Sequence, residues 1–240
     1  MPTTGRLLDA LQRAGADVIE VGIPFSDPIA DGPVIQLSSQ QALRNGVTLK
    51  DILSLVSDAR SQLHVPIVLF SYINPVLQFG IDDFAREAAG AGVDGVLLSD
   101  LPLEEAEGIT EKLSAKSIDL ILLAAPTSTD KRLQTIADNA SGFIYAVSRT
   151  GVTGARDELS NEAALLVKRL RMFTPLPVAV GFGISNAAQV AEVWEYADAA
   201  VVGSAIVKEI ERNTGHPNLV GLVEEFVRSL VPNGNTARGA

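Results

Sequence analysis

The sequence predicts a parallel α/β fold of the (βα)8 TIM-barrel type, and three observations carry that expectation. Short runs rich in Val, Ile and Leu recur along the chain and are apolar at almost every position, as strands covered on both faces must be. Segments of helical period lie between these runs, so strand and helix alternate throughout, and parallel strands joined in this way require right-handed crossovers. The approaches to two strands also share one pattern. Ala14-Gly15-Ala16-Asp17 and Ala91-Gly92-Val93-Asp94 both stop a helix with glycine and enter a strand with aspartate. A repeated βα unit favours a barrel over a doubly wound sheet.

Taken in order, strands are expected at residues 17–21, 66–71, 94–98, 118–123, 142–147, 177–180 and 199–202, each chosen for its unbroken aliphatic character. Pro33 opens a helix over residues 33–45, proline being suited to the first helical turn. Amphipathic helices follow at residues 49–63, 81–91, 103–114, 131–139, 161–173 and 187–196, and a further one leads out of Gly203-Ser204. Seven strands are counted where a closed barrel of this class has eight. No linker or low-complexity stretch interrupts the alternation, so residues 1–231 read as one domain. Residues 232–240, rich in Gly, Asn, Thr and Arg, read as a disordered tail.

Composition narrows the function classes. With 47% hydrophobic residues in 240, a large core forms without cross-links, and the absence of cysteine excludes a disulfide framework and thiol chemistry. A reducing cytoplasm is the expected compartment. The start of the chain lacks the charged and apolar regions of a signal peptide, and no apolar run reaches the about 18 residues of a membrane span. His64 and His216 lie far apart in polar flanks, so no metal site is expected. A formal charge of −10 argues against nucleic acid or an anionic membrane as partner. It leaves a phosphorylated substrate open, because backbone amides hold phosphate without lysine.

In a barrel, chemistry gathers at the C-terminal ends of the strands. Glu20 interrupts an otherwise apolar strand and shares a face with Val18 and Gly22. A carboxyl there loses hydration, and its pKa rises toward the range of proton transfer. The competing reading is a glutamate paired with an arginine inside the barrel. Asp31 follows in a loop stiffened by Pro24, Pro28 and Pro33, which suits a carboxylate held over the strand ends. It suits equally a turn or N-cap residue before the next helix. Asp27, between Ser26 and Pro28, reads as a turn residue.

Two glycine-bearing strand-to-helix turns, Gly181-Phe182-Gly183-Ile184-Ser185 and Gly203-Ser204-Ala205-Ile206, would aim helix N-terminal amides at one place, where barrels commonly bind phosphate. Tyr145 ends a strand, and the polar stretch Ser148-Arg149-Thr150-Gly151-Val152-Thr153-Gly154 after it suits either a mobile lid or an ordinary surface loop. Tyr72-Ile73-Asn74-Pro75 and Asp100 complete the polar residues at strand ends, Asp100 reading as a turn residue. There is no dinucleotide fingerprint and no phosphate-binding Walker loop.

The stretches 20–33, 148–154, 181–185 and 203–208, in this order, resemble the signature segments of the tryptophan synthase α subunit, and the resemblance runs from about Leu7 to about Leu230. It implies a lyase that splits indole-3-glycerol phosphate into indole and glyceraldehyde 3-phosphate by retro-aldol cleavage, in tryptophan biosynthesis. Glu20 matches the general acid–base, Asp31 the carboxylate at the indole N–H, and Tyr145 an active-site hydroxyl. Gly183, Gly203 and Ser204 match the phosphate cradle, Gly154 the closing loop, and Phe70, Leu97 and Ile35 the indole pocket. Pro24, Asp27, Pro28 and Asn74 match contacts to a β subunit that carries pyridoxal phosphate in an αββα assembly, this chain holding no cofactor itself. Against the family pattern a leading helix and first strand are lacking before Leu7. A stand-alone lyase, and a non-catalytic barrel fragment that binds only a partner or a phosphate ligand, are the alternatives.

Overall fold

The computed structural model describes residues 2–148, 161–181 and 183–232. Its core is a parallel sheet of seven strands in the order of the chain: β1 (Ile19–Gly22), β2 (Ile67–Ser71), β3 (Gly95–Leu98), β4 (Asp119–Ala124), β5 (Ile144–Val147), β6 (Val178–Gly181) and β7 (Ala199–Ala200). Helix α1 (Pro2–Arg13) precedes β1, and α2 (Pro33–Arg44) and α3 (Leu49–Arg60) lead to β2. Helices α4 (Ile73–Phe79) and α5 (Ile81–Ala91) join β2 to β3, while α6 (Leu103–Ser114) and α7 (Asp130–Asn139) follow β3 and β4. The second half continues with α8 (Asn161–Leu170), α9 (Ala187–Trp194), α10 (Ser204–Arg212) and α11 (Leu219–Leu230).

Every one of the seven expected strands is present. β7 stops at Ala200, short of the expected Val202; it pairs with β6 on one side, where Val201 still donates to the Val180 carbonyl at 2.8 Å. Helix α1 ends where Ala14-Gly15 was read as a helix stop, whereas α4 and α11 were not expected from the pattern. In α4, Pro75 sits in the first turn, where its missing N–H leaves no bond unmade. Thr48 and Asp51 form a reciprocal capping box at α3, and Thr129 and Asn186 cap α7 and α9.

The sheet is curled. Alternate residues of each strand, such as Ile19, Val21, Ile67 and Leu69, pack outward against the helices in the larger core. The other set, Val68, Leu97, Ile121 and Tyr145, forms a separate inner cluster with Phe70, Leu123, Phe143 and Val201. The charge of Glu20 on β1 acts on the Tyr145 hydroxyl on β5. In a flat sheet those strands would stand ~19 Å apart, so the strands bend around a common interior. On the outside, α1 meets α11, where Arg13 pairs with Glu224 at 2.7 Å.

Candidate active site

Glu20 lies on the inner face of β1, opposite Val68 of β2. It is only partly buried, yet protein surrounds its carboxyl, and loss of hydration pushes the pKa up to about 7. Among the described residues no ion pair involves Glu20, so no arginine partner accounts for the carboxyl there. Tyr145 is buried in the inner cluster. Burial first, and then the Glu20 charge, hold its hydroxyl well above the usual phenol range, so it stays a proton donor.

The Tyr145 ring reaches its place because β6 carries glycine beside it. A Cβ on Gly181 would lie 1.9 Å from the Tyr145 hydroxyl oxygen, closer than any two atoms can pack. Phe70 and Leu97 stand side by side on β2 and β3 and belong to the same cluster as Tyr145. Ile35 is half-buried on α2, outside that cluster.

Asp31 sits in the β1–α2 loop, which is pinned from two sides. Phe25 donates its N–H to Ser39 Oγ at 2.9 Å, and Gln36 Nε2 donates to the Asp31 carbonyl at 2.9 Å, both from α2. From the end of β2, Tyr72 accepts the Ala30 N–H at 2.9 Å, donates to Asp31 Oδ2 at 3.1 Å, and lays its ring 5.1 Å from that of Phe25. Helix α2 is capped by Gly32 without a side-chain bond, so the Asp31 carboxyl is not spent as an N-cap. Burial raises the Asp31 pKa, and the Tyr72 hydroxyl bond works against that rise. Asp27 is exposed and touches Ser26.

Gly183 and Gly203 open the far side. Gly183 has φ +94°, a left-handed conformation that a side chain would strain, while the space around it is empty. Gly203 and Ser204 are exposed where α10 begins, and no side chain caps that helix. Its first amides therefore face the strand ends without a protein acceptor from a capping side chain. The Ser185 amide is already used: it donates to Gln189 Oε1 at 2.8 Å, which fixes the turn after Gly183. Gly154 lies outside the described residues.

The expected partner contacts lie on the β1–α2 loop and on α4. Asp27 and Asn74 are exposed and Pro24 and Pro28 half-buried, while Ile29 and Leu77 beside them expose 80% and 53% of their surface. Asp100 accepts the Ile73 N–H at 2.7 Å, so it holds the start of α4 as well as its own turn.

Gln189 escaped the sequence pattern, as did the pairing of Tyr72 with Asp31 and the room that Gly181 leaves for Tyr145. The one available signal was position, since Tyr72 and Gly181 close strands at the active end. Among the described residues no group of three His, Cys, Asp or Glu could hold a metal ion, and no helix is long and apolar enough to cross a membrane.

A family model described as tryptophan synthase alpha chain matches residues 1–231. The tryptophan synthase alpha chain of Solibacter usitatus is 48% identical over 227 residues, covering 95% of this chain and 85% of that one. That of Carboxydothermus hydrogenoformans is 51% identical over 205 residues, 85% of this chain and 77% of the other. A chain of the tryptophan synthase a2b2 complex from Pyrococcus furiosus superposes with a TM-score of 0.88 at 41% identity, covering 95% of this chain and 92% of that chain.

Proposed function

Because this chain belongs to the tryptophan synthase alpha chain family, we propose that its strand ends cleave indole-3-glycerol phosphate to indole and glyceraldehyde 3-phosphate. The observation that carries the reading is the Glu20 carboxyl, lifted to about 7 on the inner wall of the barrel with the Tyr145 hydroxyl across from it. A group that titrates near neutrality both gives and takes a proton at working pH.

Glu20, in its acid form, protonates the indole carbon that bears the glycerol chain. The positive charge that develops spreads to the ring nitrogen, whose N–H donates to the Asp31 carboxylate. The carbon–carbon bond then breaks and its electron pair restores the aromatic ring. The hydroxyl-bearing carbon becomes the aldehyde, and its O–H proton returns to the Glu20 carboxylate. Protons and electrons balance without an oxidant, so the proposal draws on no cofactor within this chain. Tyr145 steadies the charge of Glu20 from across the interior. Phe70, Leu97 and Ile35 offer apolar surface to the ring. The amides at Gly183, Gly203 and Ser204 grip the phosphate and thereby fix the reacting end over Glu20, and Gly154 belongs to the loop that closes over it.

The reading includes a β subunit that holds pyridoxal phosphate, with Pro24, Asp27, Pro28 and Asn74 on the face that meets it, and a cytoplasmic setting. Residues 1–231 serve as one barrel domain. Indole release by the purified chain, with and without a β subunit, tests the proposal. Glu20→Gln is expected to lower kcat by about 10²–10⁴-fold without lowering the melting temperature. Unchanged turnover in that variant would remove Glu20 from the chemistry.

A further inference from the structure

We propose that Tyr72 is a positioning residue for the cleavage reaction: its hydroxyl orients the Asp31 carboxylate and keeps it ionised for the substrate's ring N–H. The inference rests on the role given above to Asp31.

The geometry leaves the phenol little choice. A hydroxyl has one proton to give and lone pairs to receive. The Ala30 N–H, whose proton is fixed by the backbone, points at the Tyr72 oxygen from 2.9 Å and takes a lone pair. The one Tyr72 proton is therefore directed to Asp31 Oδ2, 3.1 Å away. Occupation of Oδ2 leaves Oδ1 as the oxygen that Tyr72 does not engage.

A donor on a carboxylate favours its charged form, and here it works against the burial of Asp31. The phenol itself is 3% exposed and is pushed up to about 12, by burial first and by the Asp31 charge second, so it does not surrender that proton at working pH. The ring is clamped as well: Phe25 packs on it, and the backbone after Tyr72 is held by Asp100 through the Ile73 N–H. One side chain at the end of β2 thus sets both the loop and the protonation state of its carboxylate.

Tyr72→Phe keeps the ring and removes the proton. It is expected to lower kcat for indole release roughly 10- to 100-fold, the value of a hydrogen bond to a charged group, with KM within about threefold. Among the described residues, Tyr72 is the titratable group that acts on the Asp31 carboxyl, so the acid limb of the pH–kcat profile should move up. In an Asp31→Asn background the same change should cost nothing further, because no carboxylate remains to orient. Wild-type kcat with an unmoved acid limb in Tyr72→Phe, or an equal fall in the Asp31→Asn background, overturns the proposal and reduces Tyr72 to packing. Full activity in Asp31→Asn alone overturns the role of Asp31 itself, which separates the two failures. If Tyr72→Phe unfolds, a fluorinated tyrosine at position 72 replaces it. Its stronger donor should move the acid limb down, and an unmoved limb there counts against the proposal.

Discussion

A carboxyl whose pKa is raised to about 7 in the folded chain from 4.5 leaves a mark on stability as well as on rate. The folded state holds the proton more tightly than the unfolded chain does. The stability linked to Glu20 is therefore fully present below about pH 4.5 and is lost as pH rises toward about 7. The partial exposure of Glu20 caps that loss at no more than ~3 kcal/mol. Glu20→Gln removes the titration, so the variant should melt with the wild type at about pH 4.5 and several degrees above it at about pH 8. Parallel melting curves across that range would show that the carboxyl ionises without penalty. In the proposed cleavage the same group shapes the rate. An acid form is consumed in the first proton transfer, so kcat should fall on the alkaline side of about pH 7 in the wild type. This residue was legible in the sequence because a charge inside an aliphatic strand is rare and costly. The partnership of Tyr72 with Asp31, 41 residues away, was not, since it exists only once β2 ends beneath the β1 loop.

Elements bring these residues together through devices that repeat. Asp94 accepts the Ile67 N–H at 2.8 Å and Asp198 accepts the Val178 N–H at 2.8 Å, so each ties the foot of its own strand to the preceding one. Arg60 and Arg171 stand beside these two carboxylates. The Gly-x-Asp approach read from the sequence at residue 94 is thus strand registration, a role that Asp198 repeats without the glycine. Helix α4 could not be, because seven residues with an internal proline carry too little periodicity. Two elements at the active end invite tests. On β6, Gly181→Ala forces the Tyr145 ring away from Glu20, and a displacement of ~1 Å costs about 10²-fold in rate; normal kcat in that variant would show that the ring can yield. At α10, Ser204→Asp places a negative charge on a helix N-terminus, which steadies the helix by ~0.3–1 kcal/mol but repels phosphate. The melting temperature should hold or rise while KM for indole-3-glycerol phosphate rises roughly tenfold or more. An unchanged KM would move the phosphate elsewhere.

At the scale of the whole molecule, the two halves of the proposed site are contributed by the two ends of the strand order in the curled sheet. Glu20 and Asp31 come from β1 and its loop, and Gly183 and Gly203 from β6 and β7, so a substrate that spans them reads the curvature of the barrel itself. Outside the sheet, α1 and α11 pack on each other through Leu7, Ala14, Val223 and Val227, and Arg13 bridges Asp9 and Glu224 beside them. The rim proposed to meet a β subunit adjoins the loop that carries Asp31, with Ile29 two residues from Asp31 and Leu77 on α4, the helix that follows Tyr72. On the proposed contact face, docking would press on the segment that Tyr72 holds through Ala30 and Asp31. Leu77 is the cleaner place to interrupt that docking, because it is 53% exposed on a helix and touches none of the proposed chemistry. Leu77→Asp should weaken binding to a purified β subunit roughly tenfold or more, as loss of an apolar anchor does. Indole release by the chain alone should stay within about twofold of wild type, and any rate gain that added β subunit gives the wild type should be absent. A variant that binds and responds to the β subunit like wild type would place the contact face away from α4.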